Sequence, residues 1–315
     1  MAERYRHVVA FGLVIGTLVV LRAMIVGPDE LADLARFQEL TGVAIGPESA
    51  FFASGLDGDG AAFAIVALDP FGQDLGQSLF DPSYRYLRFG YPWLAAAVAL
   101  GSDSFALAGL ALVGLVGAGL VAVIASNLYD VRGIHAWWLV CNPALILGFL
   151  GDTAEPLALA LLSLSIYSGS KVLGWSLSLV RADYLVALAG RPKVFLAGVA
   201  TAFVSKALWS LHFGEPILES EGTLTWPLTG FLAAPSIAGW LIVIGALTTL
   251  GVGMVKGDAS WVVSGAFVLC FGVIVVDTPT NAMRAAGFLP VLWAFGPNFR
   301  PVASLRSLFP RATTV

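Results

Sequence analysis

Long apolar stretches separated by short polar segments set the pattern of this chain. After a first stretch over residues 8–26, the predicted spans are 105–128, 136–150, 156–167, 194–211, 234–255, 260–276 and 285–295. A bilayer core about 30 Å thick takes roughly 20 apolar residues per helix, so the pattern predicts about eight transmembrane helices. We therefore expect an all-α, polytopic membrane protein that folds as one domain over residues 1–315.

The N-terminal stretch and the loop that follows it differ in character. A short basic head precedes an apolar run longer than the core of a cleaved signal peptide, which predicts a retained helix. Residues 27–104 are rich in acidic side chains and are predicted to form the first extracytoplasmic loop. Within it, 30–40 and 61–68 are expected to lie along the membrane surface as amphipathic helices. The piece 90–101 is too short to cross and is interpreted as half-buried or re-entrant.

Composition and charge narrow the class of protein. The chain is 58% hydrophobic and only 12% charged, with a mean hydropathy of +0.85, whereas soluble domains carry about a quarter charged residues. The net charge of -4 comes without a long basic run, so nucleic-acid binding finds no support. The three histidines, His7, His135 and His212, lack ligand spacing, so no zinc or haem site is predicted.

The placement of Lys and Arg predicts the orientation, because cytoplasmic loops of membrane proteins carry an excess of these residues. With both termini on the cytoplasmic side of the cell membrane, most of the 17 Lys and Arg fall on that side. The segment 169–193 is interpreted as a cytoplasmic-side amphipathic insertion, which places Arg181 there as well. The acidic residues of the first loop gather on the outer side.

Ionisable residues near the ends of spans are the first candidates for chemistry. Asp152 and Glu155 lie at the outer end of the third span, Lys206 lies near the outer end of the fifth, and Arg284 opens the last. Such groups cost several kcal/mol in a membrane unless they face a protein-lined cavity. The alternative is that each extends to the lipid headgroups. Their convergence on one side favours a shared cavity.

Two glycine-flanked carboxylates, Asp57 and Asp59, stand in the first loop. Their spacing matches the start of an EF-hand calcium loop, but Leu68 occupies the twelfth position, where that loop needs a glutamate. A turn-forming Asp-Gly pair without chemistry is the alternative. No cofactor is assigned, and a divalent cation at Asp57 and Asp59 stays open.

A series of short motifs extends along most of the chain. They are Asp59-Gly60, Ala67-Leu68-Asp69-Pro70, Pro82-Ser83-Tyr84-Arg85-Tyr86, Gly90-Tyr91-Pro92, Asn142-Pro143, Asp152-Thr153-Ala154-Glu155-Pro156, Ser205-Lys206, Pro227-Leu228-Thr229-Gly230-Phe231 and the run from Asn281 to Arg284. In this order they resemble a diverged GT-C type integral membrane glycosyltransferase of the mannosyltransferase-like branch. The chain departs from that family at Ala61 and Ala62, where glutamine and aromatic residues are usual, and at Ala207, where the family has glutamate.

The resemblance implies a hexosyltransferase-like enzyme that acts at the extracytoplasmic face. Its donor would be a monosaccharide on a polyprenyl phosphate, and its acceptor a glycan, lipid or protein. The family's catalytic base corresponds to Asp59, with Asp57 beside it. A carboxylate in a partly dry cavity can take the acceptor's proton, and a nearby cation can stabilise the departing phosphate.

Four basic residues are candidates for binding the phosphate. Arg284 and Lys206 come first, with Arg85 and Arg88 behind them, and Asp152 and Glu155 complete the candidate substrate-binding set. Two other functions stay open: a non-catalytic GT-C-like subunit, because of the departures from the family, and a transporter or flippase for a lipid-linked solute.

Overall fold

The computed structural model describes residues 2–43, 51, 59–217 and 228–302. Over these residues the regular structure is entirely helical, which confirms the predicted all-α class. The α-helices are α1 (Ala2–Ile25), α2 (Pro28–Thr41), α3 (Asp59–Leu68), α4 (Pro82–Tyr86), α5 (Gly90–Val98), α6 (Ala106–Arg132), α7 (Trp137–Val140), α8 (Pro143–Leu150), α9 (Glu155–Ser168), α10 (Lys171–Val180), α11 (Pro192–Phe213), α12 (Thr229–Ala233), α13 (Ile237–Lys256), α14 (Ala259–Leu269), α15 (Val273–Val276), α16 (Pro279–Ala285) and α17 (Phe288–Phe295). Short 3-10 helices lie at Leu75–Ser78, Asp103–Phe105, Gly133–Ala136 and Ala182–Leu188.

Four segments of the described chain are long and apolar enough to cross a membrane. They are Val8–Ile25, Asp103–Leu150, Pro192–Phe213 and Ile237–Lys256. Other apolar helices are shorter: α9 has 14 residues and α14 has 11, or about 21 and 16 Å at 1.5 Å per residue. The structure therefore supports a helical membrane protein with four long apolar helices, and shows short helices where further full spans were expected.

Two of the expected spans are interrupted by breaks that pack on each other. The first break is at Asn142, whose side chain accepts a hydrogen bond from the Ala144 amide and starts α8 before Pro143. The same side chain donates to the Gly287 carbonyl oxygen at 2.7 Å, and Gly287 separates α16 from α17. A proline cannot continue the preceding helix. The Asn142 side chain therefore satisfies backbone groups at both breaks, the Ala144 amide at one and the Gly287 carbonyl oxygen at the other.

Helix α3 is not the surface helix that the sequence predicted over 61–68. Its residues from Ala62 to Ala67 are all buried, and the Phe63 ring packs edge-to-face on Tyr91 of α5 at 5.4 Å. The reason lies in the composition of α3, which is apolar on every side, and such a helix is buried rather than interfacial. The prediction for 61–68 is wrong, and α3 instead holds Asp59 at the edge of the core.

Helices α9 and α10 form an antiparallel hairpin around Gly169, which ends α9 with a φ of +74°. The start of α9 and the end of α10 consequently meet, and Arg181 bonds Glu155. At the other end of the hairpin, Arg191 donates to the Ser165 carbonyl oxygen at 2.7 Å. Helix α10 has 10 residues and is about 15 Å long. It is too short to place Arg181 across a bilayer from the end of the hairpin at Gly169.

Candidate functional site

Ends of several helices meet at one cluster of charged side chains, which we call the ion cluster. Its members are Asp59 at the start of α3, Arg85 in α4 and Arg88 just after it, Glu155 at the start of α9, Arg181 and Asp183 after α10, and Arg284 in α16. It contains four arginines and three carboxylates, so its formal charge is positive. The cluster brings together five of the residues predicted from the sequence: Asp59, Arg85, Arg88, Glu155 and Arg284.

Asp59 is partly exposed, with 25% of its side chain accessible, and so is Asp183, with 28%. The Oδ1 of Asp59 accepts a hydrogen bond from Arg85, and its Oδ2 accepts one from Arg284 Nη2 at 2.9 Å. Burial opposes ionisation of this carboxyl, but the charges of Arg88, Arg284 and Arg85 outweigh it and hold the pKa of Asp59 well below its usual range. Asp59 is therefore an anion held between cations.

Glu155 is completely buried and is shared between two arginines. Its Oε1 accepts a hydrogen bond from Arg181 and a second from Arg284 Nε at 2.9 Å. Its Oε2 has no hydrogen-bond partner within the described parts of the chain, since the neighbouring Thr153 hydroxyl donates to the Gly148 carbonyl oxygen at 3.1 Å. Glu155 therefore links Arg181 to Arg284, and through Arg284 to Asp59.

Arg181 corrects the predicted orientation of its segment. Arg181 was predicted to lie on the opposite side of the membrane from Asp59. Its contact with Glu155 places it in the same cluster as Asp59, so the two residues lie on the same side. The Arg181 Nε and Nη2 donate to Asp183 at 3.0 Å each. Sequence reasoning missed both residues, although the rule that a charged residue in an apolar segment needs a partner would have marked them.

Tyrosines order two arginines of the ion cluster. The Tyr184 hydroxyl donates to the Arg284 carbonyl oxygen at 2.7 Å and so holds the backbone of α16. Arg88 lies 4.7 Å above the ring of Tyr84 and donates to its hydroxyl. No salt bridge from Arg88 to a carboxylate is found among the residues that the structure describes. Arg88 is thus the cation whose charge is least compensated by direct pairing.

Lys206 lies in a neighbouring group and not in the ion cluster. Its Nζ donates to the Ser83 hydroxyl at 2.5 Å and lies 3.6 Å from Asp81. The Ser83 amide donates to Glu215 at 3.0 Å. Because Ser83 and Arg85 share the short helix α4, the two groups adjoin, and Lys206 remains a candidate for substrate binding beside the cluster.

Asp152 does not share the cavity predicted for it. It accepts hydrogen bonds from both terminal nitrogens of Arg22 in α1, at 2.7 and 2.5 Å, and neither side chain is more than 1% exposed. Arg22 also donates to the Phe51 and Phe149 carbonyl oxygens at 2.6 and 3.0 Å. An arginine in an apolar helix needs a counter-charge, and Asp152 supplies it. Both oxygens of Asp152 are therefore occupied by Arg22, and its role in substrate binding stays a prediction.

The divalent cation that was left open at Asp57 and Asp59 gains no support. Asp57 lies outside the described residues. Within those ranges no group of three or more His, Cys, Asp or Glu residues could hold a metal. Both oxygens of Asp59 already accept hydrogen bonds from arginines.

No protein-family model, curated protein or solved structure matches the chain.

Proposed function

We propose that this protein is a membrane glycosyltransferase that moves a monosaccharide from a polyprenyl-phosphate carrier to an acceptor hydroxyl. The acceptor is a glycan, lipid or protein at the extracytoplasmic face of the cell membrane, and the chain crosses the membrane about eight times with both termini in the cytoplasm. The observation that supports the proposal is the contact of Asp59, a partly exposed carboxylate, with Arg85 and Arg284 in a cluster whose arginines outnumber its carboxylates.

The reaction makes opposite demands on the two kinds of side chain. The acceptor oxygen attacks the anomeric carbon, the bond from that carbon to the phosphate oxygen breaks, and the electron pair leaves with the lipid phosphate. The acceptor proton passes to the Asp59 carboxylate. The lipid phosphate gains one negative charge in this step, and nearby arginines are suited to stabilise it.

The resting ion pairs fit this sequence of events. A carboxylate held by Arg85 and Arg284 is a weak base, because their charges favour its ionised form. A donor phosphate competes for the same guanidinium groups, with Arg88 as its first partner. When the phosphate takes the Arg284 Nη2 hydrogen bond from Asp59, the affinity of Asp59 for a proton rises. Donor binding thus prepares the base.

Replacement of Asp59 by asparagine tests the proposal. Asp59→Asn keeps the shape of the side chain but removes the base, and we expect transfer to fall by about 10²–10⁴-fold. The measurement is sugar transfer from a labelled polyprenyl-phosphate monosaccharide in membranes that contain the full chain. Asp103→Asn, an exposed aspartate outside the cluster, is the matched control. Equal activity of Asp59→Asn and the control would contradict the proposal.

A further inference from the structure

Glu155 was predicted to bind substrate directly, and its burial argues against that role. Its side chain has no exposed surface, whereas those of Arg284 and Asp59 are 15% and 25% accessible. The contacts of Glu155 are instead with two arginines, one of which, Arg284, reaches Asp59. Glu155 therefore has no surface with which to contact a bound phosphate, and it can orient a phosphate ligand only through a neighbouring side chain.

We propose that Glu155 is a positioning residue that holds Arg284 by its Nε and so points the two terminal nitrogens toward Asp59 and an incoming phosphate. This inference rests on the proposed function, since it assigns to Arg284 the recognition of a phosphate monoester or diester. Glu155 itself does not touch the substrate.

The geometry of the guanidinium group carries the argument. The group is planar, with Nε on one edge and the terminal nitrogens on the far side. Arg284 uses Nε for Glu155 and Nη2 for Asp59, both at 2.9 Å, and its Nη1 has no partner in the described ranges. Holding Nε fixes the plane, so Nη1 and Nη2 present a ready fork to a phosphate.

Glu155 is itself held rigidly enough for this task. It begins α9 directly before Pro156, which restricts the backbone there. Gly148 of α8 lies so close behind it that a methyl group in place of the Gly148 hydrogen would approach the Glu155 Cβ to 2.7 Å. The carbonyl oxygen of Gly148 accepts from both the amide and the hydroxyl of Thr153, at 2.9 and 3.1 Å. The carboxylate is thus part of a tightly packed turn.

A purely structural role is the competing explanation. Glu155 also neutralises Arg181, and a buried counter-charge stabilises the fold whether or not Arg284 binds a ligand. The two explanations differ in what Arg284 contributes. If Glu155 acts through Arg284, then replacement of Glu155 changes the affinity for phosphate only when residue 284 is arginine.

The test measures binding of dodecyl phosphate to the full-length protein in neutral detergent by isothermal titration calorimetry. Glu155→Asp keeps the charge but withdraws the carboxylate by one methylene, and we expect about tenfold weaker binding because Arg284 is displaced. Glu39→Asp, the same change on the exposed side of α2, is the control and should bind like wild type. Thermal melting in parallel reports folding.

The decisive comparison repeats the change in an Arg284→Lys background. The lysine lacks the fork, so the added effect of Glu155→Asp should shrink to less than about twofold. An equal loss in both backgrounds, or no loss in the first, overturns the positioning role. If Glu155→Asp does not fold, the isosteric Glu155→Gln replaces it: removal of a negative charge alone would tighten phosphate binding, so tighter or unchanged binding also overturns the proposal. Failure of the wild-type protein to bind dodecyl phosphate at all would instead contradict the proposed function.

Discussion

Asp152 and Glu155 stand three positions apart in one turn, yet they belong to ion pairs of different design. Asp152 forms a bidentate salt bridge with Arg22, and both side chains are buried from solvent. Glu155 belongs to the ion cluster, where the arginines outnumber the carboxylates and one edge, at Asp59 and Arg85, is about a quarter exposed. The first pair is electrically complete. The second has positive charge left for an anion.

We propose that this difference separates a structural from a functional use of buried charge. Burying a pair of ions costs desolvation energy that only good geometry recovers, so a closed pair contributes little beyond holding its elements together. The Arg22–Asp152 pair joins α1 to the turn before α9. The ion cluster incurs the same cost. In the proposed function its partners are exchangeable, because Asp59 and the donor phosphate would occupy the same guanidinium groups.

Loss of Arg22 should have the largest effect on stability. Arg22→Ala leaves Asp152 buried without a counter-charge, and we expect a loss of about 3–5 kcal/mol in the free energy of unfolding. Thermal melting in detergent measures it. The double variant Arg22→Met, Asp152→Leu replaces both ions by apolar side chains and should recover most of the loss. If the double variant is as unstable as the single one, the pair is not merely a structural link.

A methyl group at Gly148 should have an intermediate effect. Gly148→Ala brings a Cβ to 2.7 Å from the Glu155 Cβ and 2.9 Å from the Pro156 Cδ, so α8 and α9 must separate. We expect a cost of about 1–3 kcal/mol in stability together with weaker phosphate binding. Gly251→Ala in α13, where the added methyl group meets nothing within 4 Å, is the matched control and should not destabilise. Equal melting of the two variants would mean that the turn is loosely packed.

The smallest effect concerns acid stability. The folded Asp59 stays ionised because its pKa is held low despite burial, whereas the unfolded carboxyl has a pKa near 3.8. Its stabilising contribution is therefore present above about pH 4 and declines as the pH falls further, because the unfolded state takes up the proton. Melting of wild type and Asp59→Asn between about pH 6 and 3 should show the wild type losing roughly 0.5–1 kcal/mol more. Parallel curves would contradict ion pairing at Asp59.

The sequence predicts the long helices well and the broken ones poorly. Helices α1, α6, α11 and α13 follow from apolar runs of a length that only a spanning helix satisfies. The break after Leu269 and the return of α10 toward Glu155 depend on packing between distant elements, and hydropathy carries no such information. The break before Pro143 carried a local signal, because a proline interrupts a helix, but the predicted span over 136–150 runs through it.

For the candidate site, residue type predicted which residues belong to the ion cluster better than it predicted which residues pair with each other. Asp59 and Arg284 were singled out, and the structure pairs them. Asp152 and Arg22 each carried the mark of a charge in an apolar setting, but nothing in the sequence indicated that they would neutralise each other. Local pattern shows that a buried charge needs a partner, and only the fold selects it.

The contact between Asp59 and Arg284 joins residues 225 positions apart, which has a consequence for biosynthesis. Before α16 leaves the ribosome, the nascent chain carries Asp59, Glu155 and Asp183 against Arg85, Arg88 and Arg181, so positive and negative groups are balanced in number. Arg284 arrives last and tips the balance. A chain that ends before α16 lacks Arg284 and therefore the surplus positive charge of the ion cluster.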